Sequence, residues 1–208
     1  MTDDDDFPEI DDDTYAQLER EAPVLSRLKR FADGLDRASW FSHLGEAPTL
    51  KVRAAAIAYV EALGFPDAQL AILPTWEDAA GSAETNDWAS APWEAEELAR
   101  ADLTGRALEI VSQEALEIGL AMVAQQVGKS AKDAMEEQAS LWDVVDESDQ
   151  RLAVGAAAQA AHGMGLLLIA AAADPDIDVT EHPFATKMRL FELGRWPVSV
   201  IGGTFNVF

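Results

Sequence analysis

The sequence predicts an all-α fold, a bundle of about six to eight helices around one buried helix, with a small C-terminal β-hairpin. Three observations lead to this class. Apolar residues recur at helical spacing along most of the chain, residues 152–173 are a long run of Ala, Gly and Leu, and two short β-prone segments flank Gly202 and Gly203. The length of 208 residues, with 49% apolar and 25% charged residues, suits a single helical domain, which we expect at 14–208.

The chain opens with an acidic tail and three short helical segments. Residues 1–13 hold eight carboxylates and no cation, and the mutual repulsion of these charges predicts a disordered tail. Apolar spacing then predicts helices over 14–35, 37–44 and 49–63. A glycine follows the second and the third of these helices, as is typical of a left-handed C-cap.

Residues 65–92 are predicted as a long loop, because Pro, Gly, Ser, Asn and Asp replace the helical pattern there. Within this loop, only residues 70–73 have the composition of a brief strand. A helix then opens at Ser90, with Pro92 in its first turn, where proline is tolerated. Helical spacing continues after it, and a further amphipathic helix is predicted over 130–145.

The run 152–173, which Ser148 is predicted to cap, has the length of a membrane-spanning helix. Its flanks lack the cationic excess of a cytoplasmic loop, and most of its residues are Ala or Gly. A helix that is apolar on all sides is also typical of the centre of a soluble bundle. The start of the chain has no pattern of basic residues followed by an apolar run. We therefore expect a buried helix in a cytoplasmic protein that does not bind a membrane.

The C-terminal residues change from helical to β-prone patterning. A last helix is predicted over 180–193. Residues 198–201 and 204–208 are β-prone and flank a Gly-Gly pair, which is a hairpin signal. Because an isolated hairpin is only marginally stable in water, we expect it to pack on the helices or to pair with residues 70–73.

The charge balance and the missing motifs exclude several classes of function. Thirty-eight Asp and Glu oppose fifteen Lys and Arg, giving a formal net charge of −23, which disfavours direct binding of nucleic acid or of anionic membranes. With no cysteine, the chain has no disulfide, thiol nucleophile or thiolate metal site. Gly-rich nucleotide-binding loops are absent, and the three histidines are not at metal-ligand spacing. We therefore expect no metal and no cofactor.

Three pairs of carboxylates at i,i+3 spacing support an alternative, enzymatic function. Each pair lies on one face of its predicted helix. The pairs are Glu94 with Glu97, Glu114 with Glu117, and Asp143 with Asp146. The spacing resembles that of the helical nucleotide-pyrophosphate hydrolases, although their full E-E-x-x-E pattern is absent. Three such faces turned inward could hold Mg²⁺, so a Mg²⁺-dependent helical hydrolase is the alternative function.

Glu117 and His162 form a second candidate site. Glu117 is the only ionisable residue within 115–124, and His162 is accompanied by Gln159 alone on the apolar helix. Either the two side chains form a satisfied buried pair, or Glu117 continues a thin polar stripe to water. Both structural interpretations are favoured over a catalytic role for these residues.

The most distinctive region combines tryptophans with acidic residues and contains no cation. Residues 54–99 hold nine Asp and Glu but no Lys or Arg. Tryptophan is an enriched anchor at protein interfaces, and surrounding acids steer a basic partner. The predicted partner-binding residues are Trp76, Glu77, Asp78, Asp87, Trp88, Trp93 and Glu94. Alternatively, the tryptophans fold the loop onto the bundle and the acids keep it soluble.

These features favour a non-enzymatic, acidic protein-binding module. An inhibitor, an immunity-type protein or a regulatory protein for a basic partner has this character, because an acidic surface attracts a basic one over a distance. The two functions make different demands on the fold. A binding module needs exposed acids and exposed indole rings, whereas a Mg²⁺ hydrolase needs carboxylates that converge.

Overall fold

The computed structural model describes residues 22–85, 89–144 and 146–208. The predicted tail at 1–13 lies outside these residues. Within the described ranges the fold is a bundle of seven α-helices with a small three-stranded sheet, which confirms the predicted class. The helices are α1 (Leu25–Gly34), α2 (Leu50–Ala62), α3 (Trp76–Glu84), α4 (Ala91–Ala107), α5 (Gln113–Leu141), α6 (Glu147–Ala173) and α7 (Pro183–Glu192). The strands are β1 (Gln69–Ile72), β2 (Pro197–Ile201) and β3 (Thr204–Val207).

Helix α2 begins where the sequence predicts, whereas the helix predicted over 37–44 does not form. The side chain of Thr49 caps α2 by accepting a hydrogen bond from the backbone N–H of Val52 at 3.2 Å. Residues 37–44 form instead the end of a 3-10 turn and a series of turns. Trp40 and Phe41 are adjacent in sequence, yet both pack edge-on against Phe191 of α7. This shared packing overrides the local helical spacing.

The segment predicted as a long loop, 65–92, contains a strand and a helix. Strand β1 lies where the brief strand was expected. Helix α3 was not predicted, because Gly81 and polar residues interrupt its apolar pattern. Its N-terminus is capped by Thr75, whose side chain accepts from the backbone N–H of Asp78 at 3.2 Å. Its buried face is made of small alanines and of Trp76.

The helix predicted separately over 130–145 is the second half of α5. This helix runs without interruption through Gly128, although glycine is less favourable than alanine in a helix interior. Its buried positions continue at regular helical spacing on both sides of the glycine, for example at Val127 and Ala131. Burial of this continuous apolar face therefore outweighs the local cost of the glycine.

Helix α6 is the buried helix that the sequence predicts. Its buried positions run from Ala153 to Ala170, and nearly all of them are Ala, Gly or Leu. At Gly163, a Cβ atom would lie 2.8 Å from Cγ of Phe184, so only glycine permits this approach of α7. The N-cap is Asp146 rather than the predicted Ser148, because the Asp146 carboxylate accepts from the backbone N–H of Ser148 at 2.8 Å.

The length and hydropathy of α6 would allow it to cross a membrane, but the packing is that of a core helix. Among the helices that the structure describes, it alone passes this test of length and composition. Half of its most apolar stretch is buried inside the protein. A soluble protein is compatible with this arrangement, because the core helix of a bundle has the same apolar character.

The sheet joins the C-terminal hairpin to the middle of the chain. Helix α7 begins at Pro183, three residues later than predicted, because the ring of His182 caps it by accepting from the N–H of Phe184. Strands β2 and β3 pair antiparallel around Gly202 and Gly203. Strand β3 also pairs in parallel with β1, which confirms the predicted pairing with residues 70–73. The sheet then packs against α2 and α7 in a second core.

Candidate functional site

Trp76, which the sequence predicts as an interface anchor, lies in the core rather than on the surface. Its side chain is only 7% exposed. The centroid of the indole ring lies 5.6 Å from that of Trp196, with the rings tilted, and 6.0 Å from that of Phe208, with the rings edge-on. Its Nε1–H donates a hydrogen bond to Asp149 at the start of α6. The pairing of the hairpin with β1 brings these distant aromatic residues together, which local sequence could not reveal.

The other predicted binding residues divide into three groups. Glu77 and Asp78, in the first turn of α3, are exposed, and so is Glu94 near the start of α4. Trp93 is half-buried and lines a cavity described below. The remaining two, Asp87 and Trp88, lie outside the described residues. The exposed part of the predicted surface is therefore acidic but has no exposed indole among the residues that the structure describes.

Glu117 and His162 do not form the predicted buried pair. The Glu117 side chain is exposed and accepts a hydrogen bond from Nε2 of Gln113, one turn earlier, at 2.8 Å. This is the polar stripe considered as the alternative. His162 is partly buried, and burial together with the positive charge of Arg100 lowers its imidazole pKa from the ordinary value.

The carboxylates of the three i,i+3 pairs do not converge. All six side chains are exposed, namely those of Glu94, Glu97, Glu114, Glu117, Asp143 and Asp146. Throughout the described part of the chain, no group of three or more His, Asp or Glu side chains could hold a metal ion. The structure therefore does not bring the six predicted carboxylates together, because they lie on solvated helix faces.

A buried polar cluster, which the sequence interpretation missed, centres on Glu96 of α4. Glu96 is only 3% exposed, and its Oε1 accepts from Nζ of Lys187 at 2.7 Å and from the hydroxyl of Tyr59. Arg100 lies one turn further along α4, with Nη2 at 4.0 Å from Oε2 of Glu96. We call these four residues the Glu96 cluster. It links α2, α4 and α7 through one carboxylate.

The Glu96 cluster is held in one charge state by its own members. Burial raises the pKa of Glu96, but the charge and hydrogen bond of Lys187, the Tyr59 hydroxyl and the charge of Arg100 outweigh it. The net pKa of the carboxyl is therefore below its ordinary value. Burial, followed by the charge of Glu96, raises the pKa of Tyr59 well above its ordinary value. These two shifts favour an ionised Glu96 carboxylate beside a neutral Tyr59 phenol.

Helical spacing could have placed Glu96 in the core. Leu103 and Ala107 lie seven and eleven residues later in α4, on the same helix face, and both are buried. A carboxylate on an apolar stripe requires a partner. The partners Tyr59 and Lys187 are 37 and 91 residues away in the chain, so no local pattern identifies them.

A cavity of about 210 Å³ lies against the Glu96 cluster, between α4, α6, α7 and the hairpin. We call it the inner cavity. Its polar lining residues are Tyr59, Ser90, Glu96, Arg151, Gln159, Lys187, Trp196 and Ser199. Among the described residues, Oγ of Ser90 and Nε1 of Trp196 are buried and have no hydrogen-bond partner. These two atoms are almost completely inaccessible, so they are unsatisfied within the described structure but do not face the cavity.

A wider groove of about 450 Å³ adjoins the inner cavity, and the two share Ser90, Pro92 and Val200 as lining residues. We call it the outer groove. Its apolar lining includes Phe65 and Ile201, and Ile201 is exposed. Its one acidic lining residue within the described ranges is Asp67, and no cation lines it there.

Two more acids stand close to the outer groove in sequence. Glu84 precedes the lining residue Thr85, and Glu94 follows the lining residue Pro92 by one turn or less. Both carboxylates are exposed, as is Asp67. The described lining of the groove is therefore mainly apolar and glycine residues, with Asp67 as its one acidic member.

Comparisons of the chain with models of protein families, with curated proteins and with solved structures find no match.

Proposed function

We propose that the protein is a non-enzymatic, acidic binding module that takes a basic segment of a partner protein into the outer groove. The observation that carries the proposal is an apolar groove with exposed acids and, among its described lining residues, no cation. The surrounding sequence, residues 54–99, contains no Lys or Arg at all. A partner segment with Lys or Arg beside an apolar side chain has the complementary chemistry.

The apolar and the acidic parts of the groove have separate roles in this proposal. Phe65 and Ile201 supply apolar area that a partner side chain would cover, and burial of such area stabilises the complex. The carboxylates of Asp67, Glu84 and Glu94 raise the rate of encounter with a basic partner and orient it. Their effect extends about 8 Å at physiological ionic strength and shrinks as salt is added.

The proposed surface replaces the indole anchors expected from the sequence. Trp76 belongs to the core, whereas Glu94 remains part of the binding surface. A cytoplasmic location belongs to the same proposal. It is supported by the packing of α6 as a core helix and by the acidic flanks of its apolar run.

Neutralising the edge of the outer groove should weaken capture of a basic partner by roughly tenfold. The variant is Asp67→Asn/Glu84→Gln/Glu94→Gln, in which each carboxylate becomes an amide of similar size. The immobilised full chain is exposed to lysate of its host at low salt and again at about 0.5 M salt, where charge steering is strongly screened. We expect wild type to retain a basic protein at low salt only, and the variant to lose it.

A matched control separates the groove from the overall charge. Glu114→Gln/Glu136→Gln/Glu137→Gln removes the same number of exposed carboxylates from α5. This control should capture the same protein as wild type. Two results would show that the outer groove is not the binding site. One is that the groove variant captures the partner as well as wild type does. The other is that high salt does not weaken the retention of the partner.

A further inference from the structure

We infer that residues 183–187, the first turn of α7, form an acid-sensitive latch that holds Phe184 in the core while His182 is neutral and releases it when His182 is protonated. The latch does not line the outer groove and does not depend on the function proposed for that groove. Three features carry the inference, namely the cap that His182 makes, the close packing of Phe184 and the positive charge beside it.

His182 caps α7 through a ring nitrogen that carries no hydrogen. Its Nδ1 accepts a hydrogen bond from the backbone N–H of Phe184 at 3.2 Å. A neutral imidazole has one acceptor nitrogen, whereas both nitrogens of the protonated ring are donors. Protonation of Nδ1 therefore replaces the cap by two N–H groups that face each other. It also places a positive charge at the N-terminus of the helix, where the helix dipole disfavours it.

The residue whose N–H is capped is also an anchor of α7 in the main core. Phe184 is only 1% exposed, and its ring packs on Gly163 of α6 with no room for a Cβ atom between them. The ring of His182 lies beside it, with 5.3 Å between the ring centroids. Because the backbone of this turn positions the Phe184 ring, loss of the cap loosens the contact with Gly163.

A fixed positive charge lies on the other side of the same ring. Cζ of Arg100 on α4 is 5.2 Å from the ring centroid of Phe184. His162, which precedes Gly163 on α6, is half-buried, and burial together with the charge of Arg100 lowers its pKa. Protonation of His162 in acid therefore adds a second positive charge near Arg100, and their repulsion acts in the same direction as the loss of the cap.

One carboxylate partly opposes protonation-driven release. Burial lowers the pKa of His182, and the charge of Asp102 on α4 offsets a part of this shift. Asp102 is exposed and also accepts a hydrogen bond from Nε of Arg106 at 2.8 Å. Among the described residues, the charges that shift the two histidines are therefore Arg100 and Asp102, both on α4.

The net shift determines the pH range in which the latch opens. The pKa of His182 is below its ordinary value in the folded protein, so the folded chain binds the proton less readily than the unfolded chain. The stability that the neutral ring provides is fully present above the unfolded-state pKa of about 6.5. It is lost as pH falls through the lower folded-state pKa.

Nuclear magnetic resonance of the full chain tests the cap and the ring contact separately. At about pH 7.5, the imidazole nitrogen shifts of His182 should show hydrogen on Nε2 and none on Nδ1. As pH falls to about 5, the amide resonance of Phe184 should follow the titration of His182, because the amide loses its acceptor. The Hα resonances of Gly163 should move over the same range, because the aromatic ring beside them leaves.

Two variants identify the histidine that is responsible. His182→Asn retains a cap that does not titrate, because asparagine is among the best N-cap residues. Between about pH 7.5 and about pH 5, the folding equilibrium constant of wild type should fall roughly fivefold more than that of His182→Asn, which is the effect of one lost cap. His43→Asn is the matched control, because His43 is exposed and lies far from α7 in sequence. It should retain the pH response of wild type, as measured by urea denaturation.

Three results would overturn the inference. The first is hydrogen on Nδ1 of His182 at neutral pH, which is incompatible with the cap. The second is that the Gly163 resonances stay unmoved while His182 titrates. The third is that His182→Asn loses as much stability in acid as wild type does. The first two are measured on the wild-type protein, so they decide the matter even if the variant does not fold.

Discussion

Replacing Leu167 by Asp should leave the protein unfolded or insoluble. Leu167 is 0% exposed and lies in the middle of α6, among the residues that form the main core. An unpaired charge at such a position costs several kcal/mol, and a typical domain has only about 5–15 kcal/mol of stability in total. Circular dichroism and gel filtration of the purified variant measure the expected loss of helix and of the monodisperse species.

The same chemical change at Leu152 provides the control. Leu152 is on the same helix but is 40% exposed, so Leu152→Asp leaves its carboxylate in water. We expect it to change the free energy of unfolding by less than about 1 kcal/mol. Two results would contradict the position of α6 in the core. One is a folded Leu167→Asp variant that melts at the temperature of wild type. The other is recovery of the wild-type protein in the membrane fraction.

Exchanging Lys187 for Met should lower the free energy of unfolding by about 3–5 kcal/mol, because Glu96 then becomes a buried charge without its main partner. Methionine retains the apolar stem of lysine, so the change isolates the ammonium group. The Tyr59 hydroxyl and the more distant Arg100 remain beside the carboxylate but do not replace a direct ion pair. Urea denaturation of the variant and of wild type measures the difference.

Removing the charge of Glu96 should rescue the Lys187 variant. In Lys187→Met/Glu96→Gln the buried group is a neutral amide, to which the Tyr59 hydroxyl can still donate. We expect the double variant to recover most of the lost stability, so that the two substitutions are strongly coupled. If Lys187→Met alone costs less than about 1 kcal/mol, the ion pair is not the main partner of the buried carboxylate.

The lowered pKa of Glu96 predicts how the free energy of unfolding depends on pH. Although burial raises the pKa of Glu96, the charge and hydrogen bond of Lys187 hold it below the ordinary value in the folded protein. Its contribution is therefore fully present above the unfolded-state pKa of about 4.3 and is lost as pH falls through the lower folded-state pKa. The stability difference between wild type and Glu96→Gln should accordingly be constant near neutral pH and decrease in acid. A difference that grows on acidification would contradict the lowered pKa.

Those parts of the fold that local patterns determine were predictable. The apolar run of α6 indicates a core helix, and the Gly-Gly pair between β-prone segments indicates the hairpin. Helix α3 was missed because its stability comes from the Thr75 cap and from Trp76 packing on residues 120 or more positions later. Residues 37–44 form turns although their apolar spacing predicts a helix. Trp40 and Phe41 pack on Phe191 of α7, which is so far along the chain that local spacing cannot reveal the contact.

The candidate site was less predictable, because it depends on which side of each helix faces inward. The acidic surface around Glu94 follows from composition alone, since no cation lies nearby in sequence. The burial of Trp76 does not follow from composition, because its aromatic partner Trp196 lies next to the hairpin, far away in the sequence. Glu96 and Glu97 are neighbours in sequence, yet Glu96 is buried and Glu97 is exposed. Composition does not distinguish the two residues. They differ because adjacent residues of α4 point to different faces of the helix.

The parallel pairing of β1 with β3 has a consequence for the order in which the protein folds. Gln69 pairs with Thr204, so β1 cannot pair with β3 until the chain has been synthesised at least to residue 204. Until then the apolar face of α2, including Val52 and Tyr59, lacks the sheet residues that cover it. Contacts so distant in sequence slow folding and leave apolar surface exposed meanwhile. We therefore expect the α5–α6 hairpin to form first during synthesis, and the sheet with its small core to close last.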